Sequence, residues 1–269
     1  MAISILIVVL ATLLVSALGW KKLVYFFSLG YGYSIAAIAV ALCVRYWQTL
    51  TWTTGAFLLL LFVYGARLAT FLLVREIKSP TYAKATSFDK VNNEDRSILQ
   101  RTTIWLSCAL LYLCQTFPIT AQLEHNAEGL FGNPIWEYVG LAVAFCGFVL
   151  EIIADYQKSQ AKKVNPKRFV DTGVYRLVRC PNYLGELTVW TGVMISGCDT
   201  LYTWWQWLLA ILGYIGIVYV MLYGAKRLER RQDKMYGSNP EYQSYKRRTP
   251  ILFPFLPIYS FMPYSWMKG

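Results

Sequence analysis

The chain has 269 residues, of which 56% are hydrophobic and only 15% are charged. This composition excludes an ordinary soluble domain, in which charged residues make up about a quarter of the chain. The net charge of +11 does not indicate a nucleic-acid surface, because 24 of the 26 Lys and Arg residues fall in four segments that alternate with apolar runs. We therefore expect an integral membrane protein that binds the lipid bilayer and no nucleic acid.

Seven apolar runs approach or reach the roughly 20 residues that a helix needs to cross a bilayer. They predict an all-α fold, a bundle of seven transmembrane helices that forms a single membrane-embedded domain over residues 1–269. The predicted spans are 2–19, 24–44, 55–74, 104–123, 135–154, 184–198 and 203–223, and the predicted tail is 224–269. The sixth span is short and polar at its start, so it is expected to be tilted, broken or re-entrant.

The basic residues predict the orientation of these spans. Lys and Arg follow the first, third, fifth and seventh spans, whereas the connections 48–54, 124–133 and 199–203 contain none. Under the positive-inside rule, the N-terminus faces outward and the tail is cytoplasmic. The expected location is a bacterial inner membrane or the endoplasmic reticulum.

Several residues outside the apolar runs predict the structure of the connecting segments and of the tail. Pro80 after Ser79 is expected to end any helix that continues from the third span. His125, the only histidine, is expected to be solvated in an outer loop, without the cluster that a metal site requires. A tail helix is expected to be interrupted at Gly237–Pro240, and the apolar residues 251–257 are expected to pack back at the membrane interface.

The segment 171–186, DTGVYRLVRCPNYLGE, places polar residues directly against the sixth span. Glu186 lies four residues after Asn182, and Arg179 lies three before it, so one helix would present all three on a shared face. Ionisable residues at a bilayer boundary usually line a polar cavity, and Arg binds phosphate in a bidentate manner. The alternative is an interfacial cap in which Arg179 snorkels and Glu186 pairs with it.

Two further groups have helical spacing. Glu151 and Asp155 are four residues apart and are followed by several Lys and Arg residues, a combination suited to the ribose and phosphates of a nucleotide. The alternative is a helix that leaves the membrane with snorkelling lysines.

In the third span Tyr64 lies one turn before Arg67, a cation deep in an apolar run that needs an anion, a polar partner or water. Tyr64 is alternatively an ordinary packed aromatic residue.

Four segments of the chain resemble the steroid 5-alpha-reductase family, chiefly its broad, often bacterial branch. They are TGVYRLVRCPNYLGE, ADYQK, NPKRF and LERRQDKMYGSNPEYQSYKRRTPILFPF. The resemblance covers about residues 60–255 and is strongest over 155–192. One departure is Cys180, where this branch commonly has His. The resemblance implies a seven-helix bundle with NADPH in a cytoplasm-facing cavity, and hydride transfer to the β carbon of a lipophilic enone. It implies a monomer whose partners are that substrate and the bilayer.

The resemblance also implies roles for individual residues. Asn182 and Glu186 correspond to positions near the nicotinamide and its ribose, and Tyr64 corresponds to the donor at the substrate carbonyl. The second span contains no acid to pair with that Tyr, so Ser28, Tyr31 or Tyr33 is expected to replace it, or the substrate is not a 3-oxo steroid. The predicted catalytic residues are Tyr64 and Tyr33. The predicted cofactor-binding residues are Asn182, Glu186, Arg179, Arg168, Asp155, Glu151, Tyr175, Tyr183, Lys162, Lys163, Arg75, Lys78 and Arg67.

Two other functions are consistent with parts of the sequence. Membrane isoprenylcysteine and phospholipid methyltransferases, which use S-adenosylmethionine, carry a similar G-x-Y-x-x-x-R-x-P-x-Y-x-G word. They usually have His at position 180 and paired acids in the tail helix, where this chain has only Glu229, followed by Arg230. The third possibility is a lipid-binding or scaffold protein that keeps the fold without turnover.

Overall fold

A computed structural model of the protein describes residues 1–78 and 97–264, in which all regular secondary structure is helical. The helices in chain order are α1 Ala2–Ser16, α2 Val24–Phe27, α3 Leu29–Arg45, α4 Trp52–Lys78, α5 Ile98–Ala127, α6 Pro134–Val164, α7 Pro181–Gly197, α8 Trp204–Tyr236 and α9 Pro240–Arg248. The predicted break at Ser79–Pro80 and the last five residues of the predicted tail lie outside the described ranges.

Within residues 1–78 and 97–264, five helical segments are long and apolar enough to cross a membrane. They are Ala2–Trp20, Trp52–Lys78, Ile98–Ala127, Pro134–Val164 and Trp204–Tyr236. The second predicted span corresponds to α3, a shorter apolar helix of 17 residues. The sixth corresponds to α7, an unbroken helix that also has 17 residues. The prediction of an all-helical protein with apolar helices of membrane-spanning length is therefore confirmed at that level.

The seventh predicted span is the start of a longer helix. Its apolar part continues without a break into the basic tail, so that α8 has 33 residues. Lys, Arg, Glu and Gln favour helix, which explains why the helix continues past residue 223. The predicted interruption is confirmed, since α8 ends at Tyr236 and α9 begins at Pro240. The Asn239 side chain caps α9 by accepting a hydrogen bond of 2.8 Å from Glu241 N.

The chain divides into two compact units. Unit 1 comprises Met1–Leu141 and Val193–Tyr214, and unit 2 comprises Ala142–Gly192 and Ile215–Gly269. Within unit 1, α3 and α4 cross where Gly32 meets Gly65. A Cβ atom built on Gly32 would lie 2.6 Å from the Gly65 carbonyl oxygen, so only glycine permits this approach.

A second glycine contact joins α6 and α7 within unit 2. A Cβ atom on Gly147 would lie 2.6 Å from the Gly185 carbonyl oxygen. Small residues let helix backbones approach closely, a common arrangement between membrane helices. The crossing fixes the first turns of α7 against the middle of α6.

The C-terminal segment packs against other residues of unit 2, whereas the predicted position of residues 251–257 at the membrane interface stays a prediction. Ile251, Leu252 and Phe261 form a buried cluster with Cys180 and Leu187. The segment also pairs with the chain just before α7, because the backbone nitrogens of residues 179 and 180 donate to the carbonyls of residues 250 and 251 at 2.9 and 3.0 Å.

Candidate functional site

The start of α7 determines which predicted site residues share a helix face. Pro181 is the first residue of α7, and a proline disfavours helical conformation in the residue before it. Arg179 therefore lies outside the helix, and the prediction that Arg179 and Asn182 share a helical face is wrong. Asn182 and Glu186 both lie in α7, one turn apart, as predicted.

These two side chains differ in their surroundings. Asn182 is half-buried, and the described part of the chain provides no hydrogen-bond partner for its carboxamide. Glu186 is 5% exposed, and its Oε1 accepts a hydrogen bond of 3.2 Å from Trp190 Nε1. The first turns of α7 thus combine an available amide with a buried carboxylate.

The glycine crossing in unit 2 adds a second carboxylate. A Cβ atom built on Gly185 would lie 2.9 Å from Glu151 N, so the residue next to Glu186 touches the α6 backbone at Glu151. Glu151 is 2% exposed. Asp155, one turn further along α6, is half-buried. The structure therefore brings three of the predicted acidic residues to neighbouring turns of two packed helices.

The loop before α7 is held by α6 and α9. Gly173 adopts φ +61°, and the next backbone nitrogen, Val174 N, donates 2.9 Å to Gln157 Oε1. Tyr175 is buried, and its hydroxyl donates to the Ala154 carbonyl at 3.3 Å. Burial and the nearby charge of Asp155 raise the pKa of Tyr175 far above its ordinary value. The Tyr175 hydroxyl thus fixes the loop as a neutral group.

Arg179 takes part in a buried ion-pair network. Its Nη2 donates to Glu229 Oε1 at 3.0 Å and to the Tyr259 carbonyl, and the side chains of Arg179 and Glu229 are 1% and 0% exposed. Lys246 Nζ lies 3.2 Å from the same carboxylate oxygen, and Phe261 N donates 2.9 Å to the other. This network ties the chain before α7 to α8, α9 and the C-terminal segment.

The network does not use all of the Arg179 donors. Its Nε and Nη1 are buried and have no hydrogen-bond partner among the described residues. A guanidinium has five N–H donors, so Arg179 can bind an additional acceptor without giving up Glu229. The interfacial-cap alternative, in which Arg179 pairs with Glu186, is not what the structure shows, because Arg179 pairs with Glu229.

Two of the other cations predicted to bind phosphate, Lys162 and Arg168, form polar contacts with other residues of the protein. Lys162 Nζ donates to the Arg168 carbonyl at 2.6 Å and to the Tyr236 hydroxyl at 2.9 Å. The Arg168 guanidinium pairs with Glu241 at 3.0 Å and is half exposed. Lys163 is exposed. Tyr183, predicted as a cofactor contact, is half-buried, and its ring lies 3.3 Å from a Cβ atom built on Gly224.

The predicted catalytic residues lie in unit 1. Tyr64 is 0% exposed, and its hydroxyl lies 3.1 Å from the Tyr31 hydroxyl. This pairing follows from the α3–α4 glycine crossing, because each tyrosine directly precedes one of the two glycines. The Tyr33 hydroxyl instead lies 3.3 Å from Thr70 Oγ1. Of the three replacements expected for the missing acid, Tyr31 is the one whose hydroxyl contacts Tyr64.

The predicted cations of α4 also lie in unit 1. The Arg67 guanidinium lies 5.9 Å from the centre of the Phe71 ring, and Arg67 is half-buried. Arg75 is half-buried, and Lys78 is exposed at the last residue of α4.

Two features were missed or misjudged. The pairing of Lys246 with Glu229 and, at 2.7 Å, with Asp233 was not predicted, although the spacing of four between the two acids indicated a shared helix face. His125 was expected in solvent but is 7% exposed, with its ring 4.7 Å from the Tyr202 ring. The physical reason is that α5 continues to Ala127, so His125 occupies its last turn rather than a loop.

Comparison with known proteins places the chain in a family. Residues 14–249 match the model of DUF1295, described as proteins of unknown function. The chain belongs to this family. An uncharacterized protein of Schizosaccharomyces pombe is 27% identical to this chain over 164 residues, which cover 54% of this chain and 45% of the relative. The matched region thus spans less than half of that relative's length. No solved structure matches the chain.

Proposed function

We propose that this DUF1295 protein is an NADPH-dependent oxidoreductase that reduces a carbon–carbon double bond conjugated to a carbonyl in a steroid or another lipophilic enone. The observation that carries the proposal is the first turn of α7. There the carboxamide of Asn182, which has no hydrogen-bond partner among the described residues, lies one turn before the buried Glu186, at the crossing with Glu151. Asn182 and Glu186 belong to the part of the sequence that most resembles the steroid 5-alpha-reductase family.

The residues of unit 2 fit the chemistry of a nicotinamide nucleotide. A carboxamide such as Asn182 both donates and accepts, and therefore matches the carboxamide of nicotinamide. Carboxylates accept from ribose hydroxyls, and the unused N–H groups of Arg179 suit a phosphate oxygen. The bound cofactor would supply the hydride, and the residues around α7 would hold and orient it.

For the chemical step we propose Tyr64 as the hydrogen-bond donor to the substrate carbonyl. When hydride adds to the β carbon, the electron pair of the double bond moves through the α carbon onto the carbonyl oxygen. A neutral phenol, with a reference pKa of about 10, can donate to that oxygen as negative charge develops. Protonation of the α carbon from solvent would complete the reduction. The Tyr31 hydroxyl would orient the Tyr64 hydroxyl in place of the missing acid.

A methyltransferase is the second candidate function. The observation that favours it is the buried pair of Arg179 with Glu229, because the arginine belongs to the G-x-Y-x-x-x-R-x-P-x-Y-x-G word and the glutamate to the tail helix. The two candidates require different cofactors, so ligand binding separates them.

The decisive experiment measures the thermal unfolding midpoint of the detergent-purified protein with NADPH, NADH or S-adenosylmethionine. A ligand that binds the native state raises the midpoint by mass action. We expect NADPH to give the largest shift, and Asn182→Leu to reduce it. Gln160→Ala, which changes an exposed amide of α6 in the same unit, should leave it unchanged. A shift with S-adenosylmethionine and none with NADPH would favour the methyltransferase.

We further propose seven membrane spans with the N-terminus outside and the cofactor-binding residues on the cytoplasmic side. The support is the distribution of Lys and Arg, which the connections 48–54, 124–133 and 199–203 lack. In single-cysteine variants on intact cells, a membrane-impermeant maleimide should modify Cys198 without lysis. A cysteine introduced by Arg176→Cys, at an exposed position of unit 2, should react only after permeabilisation. The reverse pattern would contradict the proposed orientation.

A further inference from the structure

The C-terminal end of α5 carries buried polar atoms whose hydrogen-bonding capacity is unused. His125 and Asn126 are 7% and 3% exposed. His125 Nδ1 and both polar side-chain atoms of Asn126 have no hydrogen-bond partner among the residues that the structure describes. An unsatisfied buried polar group costs more than an ordinary hydrogen bond contributes. Three such atoms on adjacent residues therefore indicate an occupant that is not part of the described chain.

Asp199 adds a carboxylate oxygen to the same end of unit 1. It lies in the short turn Cys198–Thr200, which packs against α5. Its Oδ2 accepts a hydrogen bond from Asn133 N, whereas its Oδ1 is buried and has no partner within the described ranges. The Tyr202 ring, directly after this turn, lies against the His125 ring.

The local charge favours a cationic occupant. The connections 124–133 and 199–203 contain no Lys or Arg, so no side chain from them balances the Asp199 carboxylate. The C-terminal end of a helix also carries a partial negative charge, and α5 has 30 residues. An anion at this position would meet repulsion from both sources.

The chemical type of the unused atoms indicates which class of cation would bind. Asp199 Oδ1 and Asn126 Oδ1 are acceptors, and one nitrogen of a neutral imidazole is an acceptor as well. Among the described residues, no group of three or more His, Cys, Asp or Glu side chains has the arrangement of a metal site. A primary ammonium carries three N–H donors and no acceptor, which matches these acceptor atoms, and the unused Asn126 Nδ2 would donate to an oxygen of the molecule that carries the ammonium.

We propose that the end of α5 with the Asp199 turn binds a primary ammonium group, supplied by an aminophospholipid headgroup or by a free amine. This site is separate from the residues proposed for the cofactor, all of which lie in other parts of the chain. It does not depend on the proposed reductase activity.

The test uses ethanolamine and choline, which carry the same charge but differ in N–H donors. The thermal unfolding midpoint of the full-length protein is measured in detergent with ethanolamine hydrochloride or choline chloride at equal ionic strength. Ethanolamine should raise the midpoint, and choline should not. An equal response to both compounds, or no response to either, would overturn the proposal.

Two variants and one control connect the response to the site. Asp199→Asn keeps an acceptor for Asn133 N but removes the charge, and should weaken the ethanolamine affinity at least about tenfold. Asn126→Leu should do the same and serves if the first variant folds poorly. Glu128→Gln removes the same charge at an exposed position two residues after Asn126, and should not alter the affinity. Variants of Asp199 and Asn126 that respond like the parent would also overturn the proposal.

The source of the ammonium group is separated in lipid nanodiscs. If an aminophospholipid is the ligand, phosphatidylethanolamine discs should raise the midpoint above phosphatidylcholine discs, and added ethanolamine should then have little further effect. If a free amine is the ligand, ethanolamine should act equally in both kinds of disc. Either result supports the site, provided that it is lost in Asp199→Asn.

Discussion

The two units of the protein treat their buried polar groups differently. In unit 2, Arg179 and Glu229 form a buried ion pair that Lys246 joins. In unit 1, Tyr31 and Tyr64 form a buried pair of neutral hydroxyls, while His125 and Asn126 have buried atoms with no partner in the described chain. The Arg179–Glu229 pair of unit 2 therefore has a structural role, and the ligand proposed to bind there would use the polar atoms that this pair leaves available.

This difference changes the interpretation of the basic segment before α7. A buried charge is tolerated only when it is paired and hydrogen-bonded, and Glu229 meets that requirement for Arg179. The pair joins the start of α7 to the C-terminal segment, because Arg179 also donates to the Tyr259 carbonyl and Glu229 accepts from Phe261 N. This pair therefore fixes the chain directly before Asn182 and holds the two remaining nitrogens of Arg179 in place.

The largest predicted effect comes from breaking this pair. Glu229→Gln leaves the Arg179 charge buried without a carboxylate, which typically costs about 3–5 kcal/mol. We expect a corresponding fall in the free energy of unfolding, measured by denaturant titration in detergent. The matched control is Glu241→Gln, because Glu241 pairs with Arg168 at the surface with 65% of its side chain exposed. Exposed pairs contribute about 1 kcal/mol or less.

A second substitution separates charge from packing. Adding Arg179→Met to Glu229→Gln removes the unpaired charge and keeps an apolar side chain of similar length, so the double variant should be more stable than Glu229→Gln alone. If Glu229→Gln and Glu241→Gln destabilise the protein equally, the contrast between the buried ion pair of unit 2 and the neutral hydroxyl pair of unit 1 fails.

The sequence predicted the features that depend on local chemistry. Apolar runs located the helices, the Gly237–Pro240 break separated α8 from α9, and the i, i+4 spacing placed Asn182 and Glu186 on one face. The partner of Arg179 was not predictable in this way, because Glu229 is 50 residues away along the chain and only packing brings them together. The local rule that a helix rarely includes the residue before a proline would have kept Arg179 out of α7.

The same limit applies to unit 1. Tyr33 was preferred together with Tyr64, but the glycine crossing of α3 and α4 determines that Tyr31 meets Tyr64. Each tyrosine directly precedes a glycine, at Gly32 and Gly65, and this shared pattern was visible in the sequence. Its meaning depends on which helices pack together, and periodicity along one helix does not contain that information.

The smallest predicted change in stability tests the neutral pair of unit 1. Tyr64→Phe and Tyr31→Phe each remove the hydrogen bond between these hydroxyls while keeping the ring, so each should lower the free energy of unfolding by about 0.5–1.5 kcal/mol.

Turnover distinguishes the two variants, because removing a donor to a developing oxyanion lowers the turnover rate about 10²–10³-fold. If Tyr64 is that donor, Tyr64→Phe should lose turnover on an enone that the parent reduces, with NADPH binding retained. Tyr31→Phe leaves the Tyr64 hydroxyl in place and should lose much less. Normal turnover by Tyr64→Phe would move the donor role to another residue, whereas equal losses in both variants would mean that the pair acts as a unit.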